Sequence, residues 1–302
     1  MNLTRARARR FGLLLGAAML ASCGGGGDYG GGGATPAPSA SPLPLLEARP
    51  YRFKVPAGYV PSTPAPLVII LHGYGSDGLN QAQYFGFLAG ADKHGYLLAY
   101  PDGLIDASGK RFWNATDACC NFYGNPVDDV AYLSAVVDDV AAHYNVDPKR
   151  VYVAGHSNGG FMAHRLACDR GDRFAAAVSL AGAVWQDPSR CTAPSLVSVL
   201  QVHGDADQTI LYNGTSAYPS ALQTVATWAQ KNACRGGLEP AGTDKDLDTG
   251  IPGTETRAES YAGCPPGGAV GLWTIRGGAH VPALGSTWED ELWTYFKAHP
   301  KP

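Results

Sequence analysis

The sequence VYVAGHSNGG, residues 151–160, joins an apolar run to a Gly-x-Ser-x-Gly pentad centred on Ser157. The residues that follow, 158–168, have helical periodicity. A strand, a sharp turn and a helix form the context in which this pentad exposes a reactive serine hydroxyl above a sheet. Gly155 and Gly159 give the strand and the helix room to approach, and the helix N-terminus favours negative charge that develops beside the hydroxyl. We therefore predict that Ser157 is a nucleophile.

Apolar runs that end in turn residues recur on both sides of this stretch, as buried parallel strands do. They lie at Leu67–Gly73, Tyr96–Gly103, Ala175–Ala183, Leu196–Asp205 and Val270–Gly278. Helical periodicities occur at Val127–His143, Asn158–Cys168, Ser216–Asn232 and Thr287–Phe296. This alternation predicts an α/β fold in one domain, with a mostly parallel central sheet and helices on both faces.

A serine hydroxyl becomes nucleophilic when a base takes its proton, and the chain has eight histidines. His280 lies in a glycine-rich loop after the last predicted strand, where an α/β-hydrolase carries its base. The acid should lie between the two in the chain, and the loop after His203 offers Asp205 and Asp207. We predict Asp207 as the acid because it lies further along the loop, with Asp205 as a turn former; reversed roles are the alternative.

An acyl-transfer site also needs backbone N–H donors for the oxyanion. The predicted donors are Asn158, directly after the nucleophile, and Tyr74, directly after the first long strand. Trp113 and Trp185 lie near strand ends and are candidates for stacking on an aromatic acyl group, with ordinary packing as the alternative. These are the candidate substrate-binding residues.

We expect neither a metal nor a cofactor. Four acidic residues echo the spacing of a calcium loop: Asp244, Asp246, Asp248 and Glu255. Gly250 comes one place late for that loop and Pro252 intervenes, so we interpret the segment as a solvated acidic turn.

The N-terminus predicts export. Residues 1–22 combine a basic head with an apolar run too short for a transmembrane helix, which is typical of a signal peptide. The tetrad that ends at Cys23 resembles a bacterial lipobox, so we predict a lipoprotein signal peptide over 1–22 and lipidation of Cys23. Residues 23–46, rich in Gly and Pro, predict a flexible tether, and residues 47–302 the catalytic domain. We expect a lipid-anchored protein of the bacterial cell envelope or periplasm, or a secreted one.

Six cysteines follow Cys23, an even number that suggests disulfides in an exported chain. They are Cys119, Cys120, Cys168, Cys191, Cys234 and Cys264. The sequence allows about fifteen pairings. We favour Cys168–Cys191 and Cys234–Cys264, which leaves Cys119 and Cys120 as a vicinal bond or two free thiols.

Composition excludes several classes of protein. The 302 residues are 45% hydrophobic, which is enough for a core and excludes a disordered chain. The net charge is −3 and no basic stripe is present, so nucleic acid is not an expected partner. The expected contact with a membrane is a lipid anchor at Cys23, and the sequence leaves the oligomeric state open.

Several quoted segments resemble one known family. PLVIILHGYGSDG, FWNATDACCNFYGNPVDDVAYL, RVYVAGHSNGGFMAHRLAC, QVHGDADQTILYNG and GGAHVPALG are similar to the exported α/β-hydrolases named for polyhydroxybutyrate depolymerases and feruloyl esterases. The resemblance covers about residues 51–296. It implies an α/β-hydrolase fold and supports Ser157, Asp207 and His280 as the triad. It also supports the two favoured disulfide pairs.

The resemblance implies a secreted serine carboxylic-ester hydrolase that acts through an acyl-enzyme, on feruloyl-type or related plant cell-wall esters. Depolymerisation of polyhydroxybutyrate or its oligomers is the alternative. A peptidase or an inactive surface binding protein is less favoured. The family often has Trp-Pro after its catalytic histidine, whereas His280 is followed by Val281 and Pro282, so the sequence does not identify the ester.

Overall fold

The computed structural model describes residues 42–302. The predicted signal peptide, the lipidation site Cys23 and most of the predicted tether lie outside the described residues. The strands are β1 (Phe53–Lys54), β2 (Ala65–Leu71), β3 (Leu97–Ala99), β4 (Leu104–Ile105), β5 (Arg111–Phe112), β6 (Val146–His156), β7 (Ala176–Leu180), β8 (Ser198–Gly204), β9 (Leu238–Pro240), β10 (Thr256–Tyr261) and β11 (Val270–Ile275). The helices are α1 (Pro42–Ala48), α2 (Gly78–Tyr84), α3 (Phe87–His94), α4 (Asp129–His143), α5 (Asn158–Asp169), α6 (Ala221–Lys231) and α7 (Trp288–Ala298).

The main sheet has nine strands in the order β1-β3-β2-β6-β7-β8-β11-β10-β9. Its six central strands, from β3 to β11, pair in parallel. The outer strands β1, β10 and β9 pair antiparallel. The predicted α/β-hydrolase fold with a mostly parallel sheet is therefore confirmed.

Two apolar cores lie on opposite faces of the sheet. One joins the sheet to α4, α5 and α6 through large buried side chains such as Tyr132, Phe161 and Trp228. The other joins it to α3 and α7 through Phe87 and Trp288. Because side chains alternate along each strand, the runs that are apolar at every position fill both cores, as the sequence predicts.

The structure differs from the sequence prediction at the end of the tether. Residues 42–46, which were assigned to the tether, belong to α1, and α1 packs on α4. Leu46 lies against the apolar core. Just beyond α1, Arg49 Nη1 lies 2.6 Å from the fully buried carboxylate of Asp129 on α4, and its guanidinium covers the Tyr132 ring. The folded domain therefore includes α1.

Helix α6 begins at Ala221, five residues later than predicted. Pro219 lies just before the start, and Ser220 and Gln223 form a reciprocal capping box that sets it. The short outer strands β1, β9 and β10 and the helices α1, α2 and α3 were not predicted. The outer strands are too short or too polar to stand out as apolar runs.

The structure contains three disulfides, Cys119–Cys120, Cys168–Cys191 and Cys234–Cys264. Cys168–Cys191 ties the end of α5 to the segment before β8, and Cys234–Cys264 ties the segments on either side of β9 and β10. Within residues 42–302, no helix combines the length and the apolar character needed to cross a membrane.

Candidate active site

Ser157 lies in the sharp turn between β6 and α5. Its backbone has φ 54° and ψ −119°, a conformation that L-residues rarely adopt. Glycines on both sides make this turn possible. A Cβ on Gly155 would overlap the carbonyl of Gly159, and a Cβ on Gly159 would overlap the carbonyl of Leu71 on the neighbouring strand. The hydroxyl therefore projects beyond the carboxyl edge of the sheet at the start of a helix.

The structure brings Ser157, Asp207 and His280 together from three segments of the chain. His280 Nε2 lies 2.9 Å from Ser157 Oγ, and His280 Nδ1 lies 2.7 Å from Asp207 Oδ2. These distances allow hydrogen bonds in one line from hydroxyl to imidazole to carboxylate. The chain order from Ser157 to Asp207 to His280 is that of an α/β-hydrolase triad.

The Asp207 carboxylate is fully buried and has four hydrogen-bonding neighbours. Oδ1 accepts from the backbone N–H groups of Thr209 and Ile210, while Oδ2 faces His280 and His203. Burial alone raises the pKa of Asp207, but the hydrogen bonds from His203 and His280 outweigh it and hold that pKa well below its usual range. The carboxylate is therefore ionised and fixed in position.

Asp205 has a different environment. Its Oδ1 accepts the backbone N–H of Gly277 at 2.6 Å, and its own N–H donates to the carbonyl of Ile275. Asp205 thus joins the end of β8 to the loop that carries His280. This placement fits the predicted turn former.

His156 supports the candidate base. Its Nε2–H donates to the backbone carbonyl of His280 at 2.8 Å, and the two rings lie 4.9 Å apart. Burial, followed by the neighbouring His280, lowers the pKa of His156 to about 4, so its ring is neutral near pH 7. The residue inside the pentad therefore holds the loop of His280 instead of acting on Ser157.

Of the two predicted oxyanion donors, Tyr74 lines the cleft that contains Ser157, and Asn158 follows Ser157 directly in the chain. Among the described residues, neither the N–H of Tyr74 nor that of Asn158 has a hydrogen-bond acceptor. The Tyr74 loop is held by His72, whose Nδ1–H donates to the carbonyl of Gly73 and whose Nε2 accepts from Gly103. Two N–H groups without acceptors can donate hydrogen bonds to an oxyanion at Ser157 without first breaking other bonds.

Trp113 is fully buried and does not line the cleft. Its backbone N–H and C=O form paired hydrogen bonds with the side-chain amide of Asn158, and its indole N–H donates to the carbonyl of His72. The structure therefore corrects its assignment as a substrate-binding residue: Trp113 connects the segments that carry the two predicted oxyanion donors. The sequence shows only its position near a strand end and gives no measure of its burial.

Trp185, the other predicted substrate residue, lines a separate depression next to α6, together with Pro188 and Gln223. The guanidiniums of Arg190 and Arg165 lie over its ring. The structure does not bring Trp185 into the cleft that contains Ser157.

The cleft around Ser157 and His280 has a volume of about 320 Å³. Its other walls are formed by Gly73, Tyr74, Ser76, Asn80, Gln81, Tyr84, His156 and Val281. Phe122, whose side chain is 65% exposed, packs edge-on against the Tyr74 ring with the centroids 5.2 Å apart. The cleft therefore has aromatic residues in its wall, and the exposed Phe122 ring packs against one of them, Tyr74.

Three of the four acidic residues that echo a calcium loop have protein partners. Asp244 pairs with Arg276, and Asp248 accepts from Gly250 and Ala283. Glu255 Oε1 accepts from three backbone or hydroxyl donors, whereas its buried Oε2 has no partner among the described residues. Asp248 and Glu255 are buried, so the interpretation of the segment as a solvated turn is wrong for these two residues.

One other cluster, His94, Glu289 and Asp290, has the geometry of a metal site. Lys93 already pairs with Asp290, and the Tyr96 hydroxyl donates to Glu289 at 2.7 Å. These partners occupy the carboxylates, so the cluster does not need a metal.

Comparison with known proteins identifies relatives. The family described as "Esterase PHB depolymerase" matches residues 50–222. The protein named "Putative esterase NocK" from Nocardia uniformis subsp. tsuyamanensis is 32% identical over 77% of this chain and 70% of its own. Feruloyl esterase B of Piromyces equi is 28% identical over 76% of this chain, but the match spans only 42% of that protein. Acetyl xylan esterase from Aspergillus awamori, 17% identical, shares the fold with a TM-score of 0.57 over 81% of this chain and 93% of that chain.

Proposed function

The chain belongs to the Esterase PHB depolymerase family and is a carboxylic ester hydrolase, and from this premise we propose that it works through an acyl-enzyme on Ser157. The observation that carries the proposal is the pair of contacts that His280 makes, 2.9 Å to Ser157 Oγ and 2.7 Å to Asp207 Oδ2. Together they supply a nucleophile, a base and an orienting acid.

The proposed first step forms the acyl-enzyme. His280 Nε2 takes the hydroxyl proton of Ser157 while Oγ attacks the ester carbonyl carbon, and the carbonyl oxygen becomes an oxyanion. The N–H groups of Tyr74 and Asn158 stabilise this charge. As the intermediate collapses, the bond to the leaving alcohol breaks and the imidazolium of His280 gives its proton to that alcohol.

The second step hydrolyses the acyl-enzyme, with water as the nucleophile and Ser157 as the leaving group. His280 Nε2 takes a proton from water, the resulting hydroxide attacks the acyl carbon, and Ser157 Oγ leaves with the proton that His280 returns. Asp207 stays ionised throughout, since it orients the ring and stabilises the imidazolium without accepting the proton. None of these steps uses a metal or an organic cofactor.

A fluorophosphonate probe tests the proposed chemistry directly. We expect the wild-type protein to form a covalent adduct that peptide mass spectrometry places on Ser157, because such probes react only with an activated serine. An inactive surface binding protein with the same fold would remain unlabelled. Absence of labelling on the folded protein would therefore refute the proposal.

The proposed substrates are esters with an aromatic acyl group, of the feruloyl type. Support comes from the aromatic wall residues Tyr74 and Tyr84 and from the exposed Phe122 ring packed against Tyr74. Flat rings next to an apolar acyl group gain both burial and stacking. The alternative, hydroxybutyrate oligomers, follows from the family description and needs no aromatic surface.

A substrate panel separates these alternatives. We expect methyl ferulate to be hydrolysed with a higher kcat/KM than acetylated xylan or hydroxybutyrate oligomers. Phe122→Ala should raise KM for methyl ferulate by about threefold to tenfold, from lost stacking of about 0.5–1.5 kcal/mol, and leave p-nitrophenyl acetate unaffected. Leu222→Ala, a similarly exposed apolar residue on α6, is the matched control and should change neither KM.

A higher kcat/KM for hydroxybutyrate oligomers, together with no effect of Phe122→Ala on methyl ferulate, would favour the depolymerase alternative. Turnover of peptide amides at a rate comparable with the esters would favour a peptidase. Either result would leave the chemistry at Ser157 in place and change only the substrate class.

We also propose that the protein is exported and held by lipid at Cys23. The disulfides support export, since such bonds persist in oxidising compartments. In this proposal residues 1–22 are the cleaved signal, the tether runs from residue 23 to α1, and the catalytic domain extends to residue 302.

A further inference from the structure

A row of four buried side chains leads from α6 to the candidate acid. The residues are Trp228, His164, Gln201 and His203, and each is at most 1% exposed. Trp228 Nε1 lies 3.0 Å from His164 Nδ1, and His164 Nε2 lies 2.8 Å from Gln201 Oε1. Gln201 Nε2 lies 3.2 Å from His203 Nδ1, and His203 Nε2 lies 3.3 Å from Asp207 Oδ2. We call these four side chains the relay.

The hydrogen bonds of the relay can run in only one direction. An indole N–H donates and never accepts, so Nδ1 of His164 must accept from Trp228. Burial lowers the pKa of His164 to about 4, so this ring is neutral and carries its single hydrogen on Nε2. That hydrogen is donated to Oε1 of Gln201, which fixes the orientation of the amide.

The orientation of the Gln201 amide in turn fixes the tautomer of His203. Gln201 Nε2 donates to the carbonyl of Gly182 at 2.9 Å and to Nδ1 of His203. Because Nδ1 of His203 accepts, a hydrogen must be on Nε2, which faces the carbonyl of Ile210 at 2.8 Å and Oδ2 of Asp207. The opposite tautomer would place a nitrogen lone pair against the carboxylate, and the relay excludes it.

We propose that His203 is a positioning residue, whose Nε2–H is bonded to the carbonyl of Ile210 and also attracts Oδ2 of Asp207, 3.3 Å away, keeping it against the Nδ1–H of His280. The inference rests on the proposed triad. In this arrangement each oxygen of Asp207 is held from the protein side, Oδ1 by two backbone N–H groups and Oδ2 by His203. The carboxylate cannot rotate away while His280 cycles between its neutral and charged forms.

If His203 had a purely structural role, its important partner would be the carbonyl of Ile210, which lies nearer to Nε2 than Asp207 does. The two roles differ in what they change. A structural role affects folding stability, whereas a positioning role affects kcat and the hydrogen bond between Asp207 and His280. Trp228, at the far end of the relay, contacts no triad residue through the contacts described above, so an effect of its N–H on kcat would have to pass along the relay.

The test compares His203→Phe, which removes both ring nitrogens, with His203→Gln, whose amide nitrogen can occupy the place of Nε2. We expect His203→Phe to lower kcat for p-nitrophenyl acetate by about tenfold or more, the value of a hydrogen bond to a charged group, with KM within about twofold. His203→Gln should recover most of that loss. His143→Phe removes an exposed histidine at the end of α4 and should leave kcat unchanged.

Proton NMR supplies the second measurement. The hydrogen between Asp207 and His280 should give a low-field resonance that His203→Phe weakens or shifts upfield and His203→Gln retains. A His203→Phe variant with wild-type kcat and an unshifted resonance would overturn the proposal. If that variant does not fold, Trp228→Phe decides: a fall in kcat at unchanged KM supports the relay, and an unchanged kcat overturns it.

Fluorophosphonate labelling separates this inference from the proposed function. If the wild-type protein does not label at Ser157, the triad itself is refuted and the relay has no site to support. If the wild-type protein labels and His203→Phe labels at the same rate, the inference about His203 fails and the proposed function stands.

Discussion

Replacing Ser157 with alanine should lower kcat for p-nitrophenyl acetate by roughly 10⁴–10⁶-fold, as in other serine hydrolases of this design. The variant keeps the cleft and the N–H groups of Tyr74 and Asn158, so KM should change little. What it lacks is the oxygen 2.9 Å from His280 Nε2, and without that oxygen no acyl-enzyme can form. Steady-state kinetics with the ester in excess measures the effect.

The fold should survive the change. Alanine is smaller than serine, and Ser157 Oγ makes its hydrogen bond to His280 rather than to the surrounding core. Circular dichroism and the melting temperature should match those of the wild type. Ser134→Ala, which removes the hydroxyl of a serine on α4, is the matched control and should retain kcat within about threefold. Turnover by Ser157→Ala above the uncatalysed rate plus any trace of wild type would refute the mechanism.

The sequence predicts the centre of the fold because the signals there are local. The β6–Ser157–α5 segment combines an apolar strand, a glycine-flanked turn and a helix within about twenty residues, and each part favours the same structure. The central strands were predicted for the same reason, since strands buried on both faces are apolar at every position. Chain order then placed Asp207 and His280 relative to the nucleophile.

The supporting contacts could not be predicted, because they join residues distant in the chain. The relay connects α5, α6, β8 and the loop after β8, and nothing in the local sequence marks Gln201 as the neighbour of His164. In the sequence, His203 marks only the start of the loop that offers Asp205 and Asp207. A signal was available in its spacing of four residues from Asp207, although that spacing has meaning only once the loop geometry is known.

The role of Trp113 also could not be predicted from the local sequence. An aromatic residue near a strand end suggested a surface for the acyl group, but the ring is fully buried and its N–H donates to the carbonyl of His72. Likewise, residues 42–46 of α1 were assigned to the tether because their composition resembles a spacer. The contacts of α1 with α4, and the ion pair between Arg49 and Asp129, connect positions 80 residues apart. Burial and long-range pairing decided both cases.

Replacing Asp207 with asparagine should lower kcat by roughly 10³–10⁴-fold. The shape of the side chain is kept, and Oδ1 can still accept from Thr209 and Ile210. The position of Oδ2 would then be occupied by an NH₂ group that faces two ring N–H donors, those of His280 and His203. Since two donors cannot bond each other, His280 must move or change its tautomer, and its Nε2 is then no longer a base for Ser157.

Asp205→Asn is the matched control, because the two residues share a loop and differ in their contacts. The amide oxygen of the variant can still accept the N–H of Gly277, so kcat should stay within about threefold of wild type. If the roles of the two carboxylates were reversed, Asp205→Asn would lose more activity than Asp207→Asn. Adding Asp207→Asn to Ser157→Ala should cause almost no further loss, since the acid acts only through the base and the base only through the nucleophile.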